Sequence, residues 1–206
     1  MNCPVEQLFE SRFMRVFDLQ YREGAHYYDA TRRPRNEIAA LMTDEAYDRL
    51  VPDGTSLCVI LKTDGQEDRI VLNREFRYPL GRFVLSIPAG LIDPEDRKKE
   101  RKEAAFATAV RELTEETGLR FEEGDELELM NPCLFSSPGF TDESNAMVKL
   151  TLKNKDLNQL SQKGAEGSEL FDGFRLLTRK EALQVMRNDM ISVQTWIALA
   201  AFVYDF

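Results

Sequence analysis

Residues 111–119, RELTEETGL, carry Glu112, Glu115 and Glu116 in one short segment beside Arg111. At about 100° per residue, positions i, i+3 and i+4 share a helix face, so a helix here projects the three carboxylates together. Like charges at that spacing repel and weaken an isolated helix. A protein that clusters them is expected to have a cation to hold. Hard divalent ions such as Mg²⁺ take oxygen ligands and work alongside substrate phosphates. Composition alone is served equally well by a solvated acidic helix face.

The flanking sequence adds constraints. Upstream, IPAGLIDPED reads as a short apolar strand ending in a Pro-Ala-Gly turn. EAAFATAV then supplies small residues that let a helix lie close against a sheet. Downstream, Thr117-Gly118 is a helix stop, with Gly118 suited to the left-handed closing position.

The remaining elements follow from periodicity. RFMRVFDLQY and AHYYDAT read as two strands joined by a turn at Glu23-Gly24. NEIAALMTDEAYDRL is ambiguous and admits a helical turn. SLCVILK and RIVLNREF flank Asp64-Gly65 as paired strands, and RFVLSIP follows. ELELM, NAMVKLTL and GFRLLT are later strands; KEALQVMRN and ISVQTWIALAAF are later helices. The order describes an α/β (α+β) chain with a mixed sheet between helices. It divides into a strand-rich N-terminal appendage, residues 1–50, and a main domain, residues 51–206.

An apolar share of 43% readily supports one core. The net charge of −9 argues against nonspecific nucleic-acid or anionic-membrane binding. It still allows a phosphorylated substrate bridged to carboxylates by a divalent metal. Cys3, Cys58 and Cys133 are odd in number and widely spaced, without zinc or disulfide spacing, so they read as reduced thiols of a cytoplasmic protein. The first residues hold no apolar run of signal-peptide length. ISVQTWIALAAFV is too short and polar to span a bilayer, and reads as a buried helix.

The order strand, glycine loop, helix with Arg-Glu-x-x-Glu-Glu-x-Gly resembles the Nudix hydrolase family. That signature runs glycine, five residues, glutamate, seven residues, Arg-Glu, an aliphatic residue, any residue, Glu-Glu, any residue, glycine and an aliphatic residue. Glu103, Arg111, Glu112, Leu113, Glu115, Glu116, Gly118 and Leu119 match its second half. Its first half departs, because twelve residues separate Gly90 from Glu103. The surplus lies in the charged run DPEDRKKERKE. Seven extra residues are close to two helical turns, so they can lengthen the helix, with Asp93-Pro94 as its N-cap and first turn. A longer loop is equally allowed. Glu103 sits half a rotation from Glu112 on an ideal helix and is the weaker metal candidate.

REFRYPLGRFVLSIPAGLID resembles the entry to the signature in the branch that hydrolyses ADP-ribose and other nucleoside diphosphate sugars. The resemblance implies a Nudix-type mixed sheet sandwiched between helices. It also implies Mg²⁺, or Mn²⁺, held by Glu112, Glu116, Glu115 and the carbonyl of Ala89. Arg77 is expected on the substrate's phosphates or ribose, where a guanidinium can fork onto two oxygens. SSPGFTDE resembles the loop after the signature and offers Glu143. KGAEGSELFDGF resembles the mobile loop whose glutamate activates water; Glu166 and Glu169 both qualify, with Glu169 favoured. HYYDATRRP resembles a segment in which Tyr27 or Tyr28 stacks on the nucleobase and Arg32 contacts substrate. Arg111 is expected to pair with a signature glutamate. His26 reads as structural or solvent-facing. The branch further implies a homodimer that exchanges its appendages. The expected reaction is cleavage of ADP-ribose to AMP and ribose 5-phosphate. UDP-glucose, GDP-mannose, a dinucleoside polyphosphate, or a non-catalytic ligand sensor are the alternatives.

Overall fold

The structure, a computed structural model, describes residues 4–164 and 169–206. Its N-terminal segment forms an antiparallel sheet of β1 (Val5–Glu10), β2 (Arg15–Arg22) and β3 (Ala25–Thr31), in that order. Gly24, at φ 72°, turns β2 into β3. The expected strand pair is therefore present, and β1 adds a third strand that sequence patterning did not identify. Val5, Phe17, Leu19 and Ile38 form a small apolar core of their own beneath this sheet. The ambiguous stretch after it makes two single 3-10 turns and the short α1 (Asp44–Asp48), capped by the Thr43 hydroxyl.

The main sheet is built on β4 (Gly54–Lys62), which is buried from Gly54 to Leu61. Alternate residues feed two cores. Leu57, Val59 and Leu61 join one cluster, while Cys58 and Ile60 join the other. A strand buried on both faces reads as a continuous apolar run, as LCVIL does. It is followed by β5 (Arg69–Arg77), β6 (Arg82–Ser86), β7 (Ala89–Leu91), α2 (Arg101–Thr117), β8 (Glu126–Phe135), β9 (Ser144–Lys153) and β10 (Phe171–Leu177). The sheet order is β10-β5-β4-β9-β8, with β6 on β5 and β7 on β4. Among the described residues, only β4 and β9 run parallel; the other pairings are antiparallel.

Helices cover both faces. Ala105, Ala109 and Leu113 of α2 pack on the first core. Ala182 of α3 (Arg179–Asn188) and Ala198, Leu199 and Phe202 of α4 (Val193–Tyr204) pack on the second. Thr178 and Glu181 close a reciprocal capping box at the start of α3. Among the described residues, no helix is long and apolar enough to cross a membrane.

β4 and β5 pair only at Ile60–Ile70 and Leu61–Arg69. Beyond that point β4 takes β7 as its neighbour and β5 takes β6. The two strands splay apart, and the C-terminal half of α2 reaches into the split.

The surplus after Gly90 does not extend α2. The segment makes one 3-10 turn at Asp96–Lys98, becomes extended at Lys99, and α2 starts only at Arg101 after Glu100. Asp93-Pro94 is thus not the helix start that the sequence allowed. The turn is held by local bonds: the Asp96 and Arg97 N–H groups donate to the Asp93 carbonyl at 3.0 and 3.1 Å, and Lys99 Nζ pairs with Asp96 at 2.6 Å. At its other end α2 stops on Gly118, at φ 74°, as its sequence predicts.

Candidate active site

α2 presents its acidic face to the split between β4 and β5. Glu112 and Glu116 are buried, at 7% and 4% exposure, and Glu115 is partly exposed beside them. Glu103, in the first turn of α2, faces solvent instead. Glu116 Oε2 accepts a 2.6 Å hydrogen bond from Asn73 Nδ2, and its Oε1 lies 3.5 Å from the Ala89 N–H. Glu112 lies flat against the strand end. A Cβ added to Gly90 would stand 1.6 Å from Glu112 Oε1, so glycine is required for this approach. Burial pushes the Glu116 carboxyl up to about 9, with Glu112, Glu169 and Glu75 adding repulsion and the Ala89 N–H opposing it. Burial likewise raises Glu112 to about 7, against the pull of Arg111 and with repulsion from Glu115.

Arg111 supplies the positive charge within this group. Its Nη1 lies 2.7 Å from Glu112 Oε1 and 2.8 Å from Glu115 Oε2. Its Nη2 donates to the Leu91 carbonyl at 2.8 Å, and its Nε is 3.2 Å from Asp93 Oδ2. As the side chains stand, no three acidic, histidine or cysteine groups among the described residues converge to hold a metal. The donor set still fits one. Two buried carboxylates that repel each other, a third on the same face and a glycine cradle form an oxygen-rich site of the kind hard divalent cations take. The Arg111 guanidinium holds one oxygen of Glu112 and one of Glu115, and a cation would compete with it for them.

Three further groups border the glutamates. Asn73, Glu75 and Arg77 alternate along β5, so they share one face of that strand. Glu75 pairs with Arg77 at 2.8 Å, and burial raises its carboxyl, against Arg77 and with repulsion from Glu169. The charge of Glu169 also raises Glu112 and Glu116, so the chain brings Glu169 to the acidic group from far along the sequence. Glu166 lies outside the described residues.

A cleft of about 510 Å³ opens between the appendage and the loop after β8, lined by Tyr21, Tyr27, Tyr28, Tyr47, Phe135 and Phe140 among others. Tyr27 and Tyr28 are each about half exposed. Tyr47 stacks on Phe135, with ring centroids 6.1 Å apart. The loop is stitched to β3 by Thr141 Oγ1 donating to the Ala30 carbonyl at 2.6 Å, and by Ala30 N–H donating to the Phe140 carbonyl at 3.1 Å. Arg32 Nε lies 3.5 Å from Glu143 Oε1, both partly exposed. Neighbouring Arg33 is buried, with Nη2 2.8 Å from Asp53 Oδ2 and Nε 3.6 Å from Asp142 Oδ2. Asp142 N–H in turn donates to Asp29 Oδ1 at 3.0 Å. His26 is half exposed, its Nδ1 2.6 Å from Asp18 Oδ2.

The NUDIX domain model matches residues 52–197. The chain belongs to the Nudix family. Its relatives include a mouse ADP-sugar pyrophosphatase, 26% identical over 89% of this chain and 78% of that protein. A yeast (Saccharomyces cerevisiae) ADP-ribose pyrophosphatase is 30% identical over 66% of this chain and 55% of that protein. A Bacillus subtilis ADP-ribose pyrophosphatase is 31% identical over 65% and 63%. The chain thus spans little more than half of the yeast relative's length. A solved structure described as an ADP compounds hydrolase covers 98% of this chain and 92% of its own, with a TM-score of 0.54 at 18% identity, which shows the shared fold. These comparisons make the chain a Nudix hydrolase with ADP-ribose and ADP-sugar pyrophosphatases among its relatives.

Within the Nudix site, the structure brings Glu112, Glu115, Glu116, Arg111 and Glu169 together. Tyr27 and Tyr28 line a separate cleft with the loop that carries Glu143. Ala89 meets the site through its N–H, 3.5 Å from Glu116 Oε1. Sequence reasoning missed Asn73 and Glu75. Their signal was available, since polar residues at every second position of VLNREFR mark one non-apolar face on an otherwise buried strand. It also singled out Arg32 and overlooked Arg33, which the fold buries.

Proposed function

We propose that this chain is a Mg²⁺-dependent pyrophosphatase of nucleoside diphosphate sugars, with ADP-ribose favoured. The observation that carries the reading is the pair of buried carboxylates, Glu112 and Glu116, with Glu75 and Glu169 acting on them. A site this rich in carboxyl groups suits a polyanionic substrate only with a divalent cation between the two. Glu112, Glu115, Glu116 and the Ala89 carbonyl would hold Mg²⁺ or Mn²⁺. Such an ion neutralises the diphosphate and lowers the pKa of bound water.

The chain's own groups then divide the work. Glu169, or Glu166, takes the proton of the attacking water as general base. Arg77, steered by Glu75, forks onto diphosphate oxygens. Tyr27 or Tyr28 stacks on the nucleobase, a contact worth about 1–3 kcal/mol. Arg32 exchanges its contact with Glu143 for one with substrate. Water attacks one phosphorus and a P–O bond of the P–O–P bridge breaks, giving AMP and ribose 5-phosphate. The 1–50 appendage serves as base-binding and dimerising element, in keeping with Leu8, Phe9, Phe13 and Met14 exposed on it. The free thiols of Cys58 and Cys133 suit a reducing cytoplasm.

Hydrolysis of ADP-ribose with Mg²⁺ in ¹⁸O-water tests the reading. Label is expected in AMP or in ribose 5-phosphate, with turnover lost when metal is chelated. Formation of ADP and free ribose would refute it.

A further inference from the structure

We infer that Arg111 is an internal counter-ion, standing against the acidic face in the metal-free protein, and that Asp93 is the dock that keeps it when a divalent cation takes its place. The inference deepens the metal reading above and rests on it. It turns on the two edges of one guanidinium. Nη1 lies within 2.8 Å of both Glu112 Oε1 and Glu115 Oε2, so it uses two of the oxygens that a metal would need. A cation cannot take those oxygens while the guanidinium remains between them, because the two positive charges repel.

The opposite edge is anchored elsewhere. Nη2 donates to the Leu91 carbonyl at 2.8 Å. Nε is buried and makes no well-aligned hydrogen bond, although Asp93 Oδ2 lies only 3.2 Å away. That edge therefore has bonding capacity in reserve. The Nε–Nη2 fork matches a carboxylate in geometry. The Asp93 side chain is 54% exposed and stands just beyond β7, in the irregular segment before α2. It is free to close on the fork as Nη1 lets go of the glutamates. Arg111 then loses two partners on one edge and completes one on the other, without leaving the site for water. Gly90 lies one residue before Leu91 and against Glu112, so the anchoring carbonyl and the metal-facing carboxylate are held by the same short strand.

The test is a Mn²⁺ titration followed by electron paramagnetic resonance on wild type, Asp93→Asn and Asp93→Glu, with melting temperatures of the metal-free proteins. Asp93→Asn weakens the dock, so its Mn²⁺ Kd should rise about threefold, the scale of a partly exposed ion pair. Asp93→Glu should restore the wild-type Kd. Metal-free melting should change little in either variant, because Glu112, Glu115 and Leu91 still hold the guanidinium. A lower metal-free melting temperature with an unchanged Kd would mean that Asp93 is only structural, and overturns the inference. Tight Mn²⁺ binding by the wild type together with an unchanged Kd in Asp93→Asn overturns the inference but leaves the metal reading standing. Absence of Mn²⁺ binding in the wild type overturns both.

Discussion

Replacing Asp29 by Asn should stabilise this protein, and only above about pH 5. Asp29 is 5% exposed. Its Oδ1 accepts from the Asp142 N–H, while its Oδ2 and Asp142 Oδ1 are buried without hydrogen-bond partners. Burial first, then the charge of Asp142, lift the Asp29 carboxyl from 3.8 to about 6; the Asp142 N–H and Arg33 pull it down. A shift of about two units corresponds to roughly 3 kcal/mol between the two protonation states. The folded value lies above the unfolded one. The contribution of this group is therefore fully present below the unfolded value, and it is lost as pH rises through about 6. Asn keeps the acceptor for Asp142 N–H, puts a donor where Oδ2 stood, and never ionises. Urea unfolding from pH 4 to 8 should show a gain of about 2 kcal/mol at the top of that range and almost none at the bottom. In a chain of this size that gain raises the melting temperature by about 4–8 °C. A gain of equal size at every pH, or a loss at pH 8, would show that Asp29 is not held as a strained carboxylate.

Gly90→Ala should leave the protein folded but lower kcat about ten- to a hundredfold, because the new Cβ must push the Glu112 carboxylate off the strand at an overpacking cost of about 1–3 kcal/mol. Wild-type turnover at saturating Mg²⁺ would show that the position of Glu112 is immaterial. Glu169→Gln should lower kcat by about a hundredfold with KM nearly unchanged, as expected for loss of a general base. A rise in KM alone would assign Glu169 to substrate binding.

The acidic face, its helix stop at Gly118 and the glycine before it were legible in the sequence, because helix periodicity and left-handed closure are local properties. The double-faced core of β4 was legible for the same reason, since an unbroken apolar run admits few other readings. Tertiary structure decided the rest. Burial of Glu112 and Glu116 depends on β4 and β5 parting, and no local pattern encodes where two strands separate. Whether Arg32 or Arg33 turns inward depends on Asp53 and Asp142, which reach the same place only through the sheet. The surplus after Gly90 could have been helix or loop by length, and the folded chain makes it a 3-10 turn and extended backbone before α2. Glu169 stands against the other glutamates because β10 pairs with β5. Local chemistry is written along the chain, whereas the charge that each group feels is set by neighbours distant in sequence.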